Sequence, residues 1–168
     1  GFDAVKFQKR NIDLVYSEKE LDKYRVSPFG TTNREQKEGL EFNNEAYEEI
    51  QNHCAENQID WFASAWDVNS QKFLRDFDCK FNKVASAMLT HMELLELIAE
   101  EKKHTFISTG MHTLEEIRKV VDLFKGKECP FELMHTCSTY PMEIQNANLR
   151  SIPFLRETFE CNVGYSGH

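Results

Sequence analysis

Six short runs rich in apolar and β-branched residues punctuate the chain: 4–8 (AVKFQ), 59–64 (IDWFAS), 81–86 (FNKVAS), 105–109 (TFIST), 131–135 (FELMH) and 161–165 (CNVGY). Runs of this length bounded by polar residues read as strands. Between them, over 43–56, 68–77, 91–100, 113–124 and 149–159, apolar residues recur every three or four positions, the period of a helix with one buried face. In the first of these helices Ala46, Tyr47, Ile50 and Cys54 make that face. Asn43, Thr90 and Thr113 stand where N-caps belong, each with a Glu close behind in the manner of a capping box. The later strands begin about 22–30 residues apart, room for one strand, one helix and two short loops. Parallel βα repetition is the expectation.

One segment breaks this rhythm. Residues 9–42 are polar, carry the turn sequence Ser27-Pro28-Phe29-Gly30, and exceed an ordinary connection, so they are expected to form a functional loop with a short helix near Ser17 to Tyr24. No Pro/Gly/Ser-rich linker divides the chain, which therefore reads as one α/β domain. An open doubly wound sheet usually carries a Gly-rich phosphate loop after an early strand, and none is present. A (β/α)8 barrel places its polar, chemistry-bearing residues at the C-terminal ends of its strands. That is the pattern here, with Lys6 and Gln8, Ser64, Lys83 and Ser86, Ser108 and Thr109, His135 and Cys137, and Ser166 and His168 at successive strand ends. A complete barrel takes about 250 residues. The expectation for 168 residues is thus a partial barrel of about six βα units.

Composition narrows the classes of function. Hydrophobic content of 40% and charged content of 29% are those of an ordinary globular domain. A net charge of −8 with no long basic run argues against nucleic-acid binding. No apolar stretch is long enough to span a bilayer. Five widely spaced cysteines without a CxxC pair fit neither a disulfide framework nor a zinc ribbon, so a cytoplasmic location is expected.

The strand ends point to an anion. Lys6 and Lys83 lie in runs that should be buried, where an ammonium needs a counter-charge or must snorkel to the rim. Two on one rim favour a shared polyanionic ligand. Ser64, Ser86, Ser108, Thr109, Ser138 and Ser166 add hydroxyl donors suited to phosphate or carboxylate oxygens. No Ser lies in a G-x-S-x-G elbow, which argues against a hydrolase nucleophile. His135 is open to interior hydrogen bonding or to ligation, whereas His53, His91, His104 and His112 read as surface residues. Cys137 reads as a packing residue, and so do Trp61 and Trp66.

The segments DAVKFQ, SPFGTTNREQKEGLEF, WFASAWD, KVAS, STGM, HTCSTYP and GYSGH, in this order and spacing, resemble the N-acetylneuraminate (sialic acid) synthase family of phosphoenolpyruvate-dependent nonulosonate synthases. The resemblance runs over essentially the whole chain. It implies a (β/α)8 TIM barrel, here residues 1–168 without its first and last strands and without the family's C-terminal antifreeze-like domain. It implies condensation of phosphoenolpyruvate with an N-acetylated amino sugar, N-acetylmannosamine or a related diacetamido sugar, releasing phosphate. A divalent metal, Mn2+ or Mg2+, would polarise the sugar aldehyde, with His168 matching one of two metal-binding His residues. By the same resemblance Lys6 and Ser64 meet the carboxylate end of phosphoenolpyruvate, and Gln8 is a further substrate-binding residue. Lys83, Ser86 and Ser166 meet its phosphate with Ser108 nearby, and Lys6 and Lys83 are the catalytic pair. Ser138 and Tyr140 border the sugar, Ser138 standing where sialic acid-forming members often carry Asn. Without the missing strands the piece is expected to be inactive alone, and the longer protein to be a homodimer. Two rivals remain: a Schiff-base aldolase with Lys83 or Lys6 as nucleophile, and a sugar-phosphate-binding module without catalysis.

Overall fold

The computed structural model describes residues 1–77 and 79–167, and the chain divides into two units, Gly1–Cys79 and Lys80–His168. The first unit runs β1 (Ala4–Lys9), α1 (Ile12–Val15), α2 (Glu18–Leu21), β2 (Tyr24–Ser27), β3 (Gly30–Thr32), α3 (Asn33–Gly39), α4 (Asn44–Glu56), β4 (Asp60–Ala65) and α5 (Val68–Leu74). β1 and β4 pair in parallel, with Lys6 opposite Phe62 and Gln8 opposite Ser64. Every residue of β4 after Asp60 is buried, as expected of a strand covered on both faces. Tyr47 of α4 is wholly buried, its ring 5.4–5.7 Å from those of Trp61, Phe73 and Phe77. Such aromatic pairs add about 0.5–1.5 kcal/mol each beyond area burial. The Tyr47 hydroxyl donates to the Gln8 carbonyl at 2.8 Å, which ties α4 to the C-terminal end of β1.

The polar segment after β1 is more ordered than its composition suggested. It holds three helices and an antiparallel β2–β3 hairpin, so strand and helix do not alternate throughout. Ser17 caps α2 by accepting from Glu20 N, and Thr32 with Glu35 forms a reciprocal capping box on α3. At the hairpin turn Gly30 has φ +150°, and a Cβ there would collide with the Glu35 carboxylate that closes the box. Arg34 of α3 then reaches Asp13, Glu18 and Glu38, pinning α1 and α2 to α3.

The second unit runs β5 (Phe81–Val84), a 3₁₀ turn Ser86–Met88, α6 (Met92–Glu100), β6 (His104–Ser108), α7 (Leu114–Gly126), β7 (Phe131–Thr136), a second 3₁₀ turn Ile144–Asn146, α8 (Ser151–Phe159) and β8 (Val163–Ser166). β5–β6, β6–β7 and β7–β8 all pair in parallel, as the spacing predicts. Helix α7 buries Ile117, Val120, Val121 and Phe124, the four positions of one helical face. Thr113 and Glu116 form the capping box anticipated for it. Asn43 caps α4 through Ala46 N, but its third helical position is Ala46, so no box closes. Thr90 does not cap α6, because His91 Nδ1 accepts from Leu94 N in its place.

Helices α4, α6 and α7 are each followed by a left-handed residue that is not glycine, Gln58, Lys102 and Glu128, all at φ +54°. Behind Gln58 the Ile59 N–H bonds back to the Cys54 carbonyl, and behind Glu128 the Cys129 N–H bonds back to that of Phe124, both at 3.0 Å. These are Schellman closures that lead straight into the next strand. No helix among the described residues is long and apolar enough to cross a membrane.

Candidate active site

Strand alternation and register decide which side chains can meet. In the first unit Lys6 and Gln8 lie two apart on β1, and Gln8 is level with Ser64 on β4, so all three share one sheet face. Ser64 is buried, at 1% exposure. Lys6 is exposed, contrary to the burial expected from its run, because among the described residues β1 has only β4 beside it. The surrounding protein still desolvates its ammonium and lowers its pKa.

In the second unit Lys83 is level with Phe106, two residues before Ser108. Ser108 is level with Met134, and Thr136 is level with Ser166. Lys83, Ser108, Thr136 and Ser166 therefore share one face at the C-terminal ends of four parallel strands. The contacts follow the register. Lys83, 8% exposed, donates from Nζ to Ser108 Oγ at 2.6 Å and to the Val84 carbonyl at 2.5 Å. Just beyond the strands, Ser86 Oγ accepts the Gly110 N–H at 3.1 Å.

Gly110 is the point of closest approach. A Cβ there would lie 2.2 Å from Ser138 Oγ and 3.0 Å from both Ser86 Oγ and the Thr136 carbonyl oxygen. The segments that follow β5, β6 and β7 thus bring the Ser86 and Ser138 hydroxyls to one glycine. Ser138 Oγ is buried without a hydrogen-bond partner. A buried hydroxyl left unsatisfied costs about 1–3 kcal/mol, so an external oxygen that accepts from it recovers that cost on binding.

The remaining sequence-based candidates fall outside this cluster. Tyr140 stands in the loop after β7, 74% exposed. His135 is on the opposite face of β7 from Thr136, with Nε2 2.8 Å from the Ala147 carbonyl, which selects the interior hydrogen bond over ligation. His168 lies outside the described residues. No three His, Cys, Asp or Glu side chains gather around a possible ion among the described residues. The described residues alone do not complete a site for the implied divalent metal.

One correction concerns His112, and Trp66 shows an added feature. His112, read as a surface residue, is half-buried, and its Nε2 lies 2.7 Å from the Ser86 carbonyl. Its contact lies 26 positions away along the chain, beyond the reach of local pattern. Trp66 follows β4 with its indole N–H buried and without a partner, beside the Arg10 guanidinium.

A buried lysine and several hydroxyls gather at the C-terminal ends of parallel strands, each strand reached through a helix, the end at which βα barrels carry their sites. The NeuB family model matches residues 1–168, and the chain belongs to the NeuB family. It is 36% identical to the N-acetylneuraminate-9-phosphate synthase of Drosophila melanogaster, covering 100% of this chain and 46% of that protein. It is 32% identical to the N,N'-diacetyllegionaminic acid synthase of Legionella pneumophila, covering 100% of this chain and 49% of that protein. Among solved structures it matches the sialic acid synthetase of Leptospira borgpetersenii, a complex with citrate, at a TM-score of 0.85 and 29% identity, over 99% of this chain and 54% of that one. The chain spans about half the length of the curated relatives it matches. The fold is accordingly an α/β fold of the TIM-barrel type, present as a partial barrel.

Proposed function

We propose that this chain supplies the phosphoenolpyruvate-binding part of a nonulosonate synthase, which condenses phosphoenolpyruvate with an N-acetylated amino sugar and releases phosphate. Lys83 supplies the positive charge for the phosphate, and Ser108, Ser86 and Ser166 supply hydroxyl donors at the same strand ends. In the first unit Lys6, Gln8 and Ser64, which share the face of β1 and β4, form a set of their own suited to a carboxylate. The methylene carbon of phosphoenolpyruvate forms a bond to the sugar's aldehyde carbon, water is consumed, and inorganic phosphate departs. The lysines and hydroxyls stabilise negative charge on the phosphate and carboxylate as that bond forms. A divalent ion that polarises the aldehyde remains part of this proposal, with ligands outside the described residues.

The observation that carries the reading is the buried Lys83 ammonium, donating to Ser108 Oγ on a face shared by four parallel strand ends, in a chain whose relatives are named N-acetylneuraminate-9-phosphate and N,N'-diacetyllegionaminic acid synthases. The test is phosphate release from phosphoenolpyruvate, dependent on N-acetylmannosamine or a diacetamido sugar, by a protein that carries this chain intact. Release that requires both substrates supports the reading. Borohydride trapping of a substrate on Lys83 or Lys6 would replace it with Schiff-base chemistry.

A further inference from the structure

The proposed site uses the Ser86 hydroxyl, and the residues around it explain how that hydroxyl is aimed. Ser86 opens a single 3₁₀ turn, Ser86–Met88, closed by Leu89 N donating to the Ser86 carbonyl at 3.1 Å. One such turn is weak by itself. The loop from β6 to α7 grips it at two points: the Gly110 N–H donates to Ser86 Oγ at 3.1 Å, and His112 Nε2 stands 2.7 Å from the Ser86 carbonyl oxygen. A carbonyl only accepts, so Nε2 carries the proton. On the other side of the ring Nδ1 lies 3.5 Å from Glu116 Oε2. That oxygen is itself fixed, accepting the Thr113 N–H at 2.8 Å and the Thr113 hydroxyl at 2.9 Å. The Thr113 backbone donor, its hydroxyl and His112 together hold the Glu116 carboxyl below its ordinary pKa. The imidazole is thus wedged between the first turn of α7 and the Ser86 turn. Its approach depends on Met111, which reverses the loop at φ +69°. A residue with a Cβ holds such a conformation only where surrounding contacts enforce it.

We propose that His112 is a positioning residue for Ser86. By clamping the Ser86 carbonyl it keeps Ser86 Oγ under the Gly110 N–H. That bond occupies a lone pair of the hydroxyl and turns its own hydrogen toward the ligand oxygen. His112 touches no ligand. The inference deepens the reading of Ser86 as part of the anion site, and its test separates the two.

Phosphoenolpyruvate and inorganic phosphate are titrated against the wild-type chain, His112→Ala, His112→Gln, Ser86→Ala and the His112→Ala/Ser86→Ala pair. His112→Ala is expected to weaken both anions about 5- to 20-fold, the worth of one ligand hydrogen bond. His112→Gln, whose amide N–H reaches the same carbonyl, is expected to restore affinity to within about 2-fold. The double variant should bind no worse than Ser86→Ala, because His112 acts only through that hydroxyl. Additive losses, or no loss in His112→Ala, would overturn the positioning role. An unchanged affinity in Ser86→Ala would instead remove Ser86 from the site and sink the underlying assignment. Should His112→Ala not fold, nitrogen-15 spectra of the wild-type imidazole decide: Nε2 protonated supports the clamp, and Nε2 unprotonated overturns it.

Discussion

Replacing Gly110 with alanine adds one methyl group where the segments after β5, β6 and β7 converge. The backbone at Gly110 is not among the positive-φ positions, so the cost is steric and not conformational. The new carbon would sit 2.2 Å from Ser138 Oγ, 3.0 Å from Ser86 Oγ and 3.0 Å from the Thr136 carbonyl oxygen. These contacts yield unequally. The Ser138 hydroxyl has no partner to lose and can rotate away. Ser86 Oγ is held by Gly110's own N–H, and Thr136 is level with Ser166 in the β7–β8 ladder, so both resist. Overpacking a well-packed site costs about 1–3 kcal/mol, and with one of three contacts free to move the lower half of that range is expected. Urea unfolding should show a lower midpoint with an unchanged slope. Phosphoenolpyruvate affinity should fall at least about tenfold, because the methyl group occupies the space between two donors and each displaced donor is worth about 1 kcal/mol. Adding Ser138→Ala removes the closest clash, so the double variant should regain part of the stability and none of the affinity. An unchanged midpoint together with unchanged affinity in Gly110→Ala would refute the close convergence.

Three further outcomes follow from other parts of the molecule. Gln58→Gly relieves a left-handed residue at the end of α4 and should raise stability by about 1 kcal/mol in urea unfolding, whereas a loss would mean that the Gln58 side chain contributes more than its backbone strain costs. The pKa of Lys6 lies below its ordinary 10.5, so the native state sheds this proton before the unfolded chain does, and stability rises with pH between the lowered pKa and 10.5. Lys6→Met should abolish that rise, stay at least as stable as wild type at pH 7, and bind phosphoenolpyruvate more weakly; a less stable variant at pH 7 would contradict the desolvation. Manganese titrated calorimetrically into this chain should find no tight site, since the described residues offer no three-ligand cluster and catalytic sites normally supply about three protein ligands.

Much of this architecture is legible in the sequence because burial dictates pattern. The runs around Lys6, Ser64, Lys83, Ser108, His135 and Val163 are all strands within a residue or two of their expected bounds, and the hydroxyls and lysines at their ends share faces as the two-residue period requires. Other features left no such trace. Strand β2 is four residues long, with Tyr24, Arg25 and Val26 all exposed, so no buried face imprints an alternation on it. Helices that end on Gln58, Lys102 and Glu128 lack the glycine that usually marks a stop. Lys6 follows the pattern of a buried strand but sits on a strand with one described neighbour, which exposes it. His112 reads as solvent-facing because it follows a turn, and only the reversal at Met111 brings it back against Ser86.

The most direct test of the central claim is an equilibrium titration of phosphoenolpyruvate against the wild-type chain and Lys83→Met at neutral pH and fixed salt. Methionine keeps the volume of the buried lysine without its charge, so the variant should remain folded. The account predicts saturable binding to wild type that inorganic phosphate displaces. It predicts a loss of about 10- to 100-fold in Lys83→Met, the worth of a charge-assisted hydrogen bond to a buried anion. Equal affinity in the two folded proteins would show that the phosphate does not lie at Lys83 and would contradict the account.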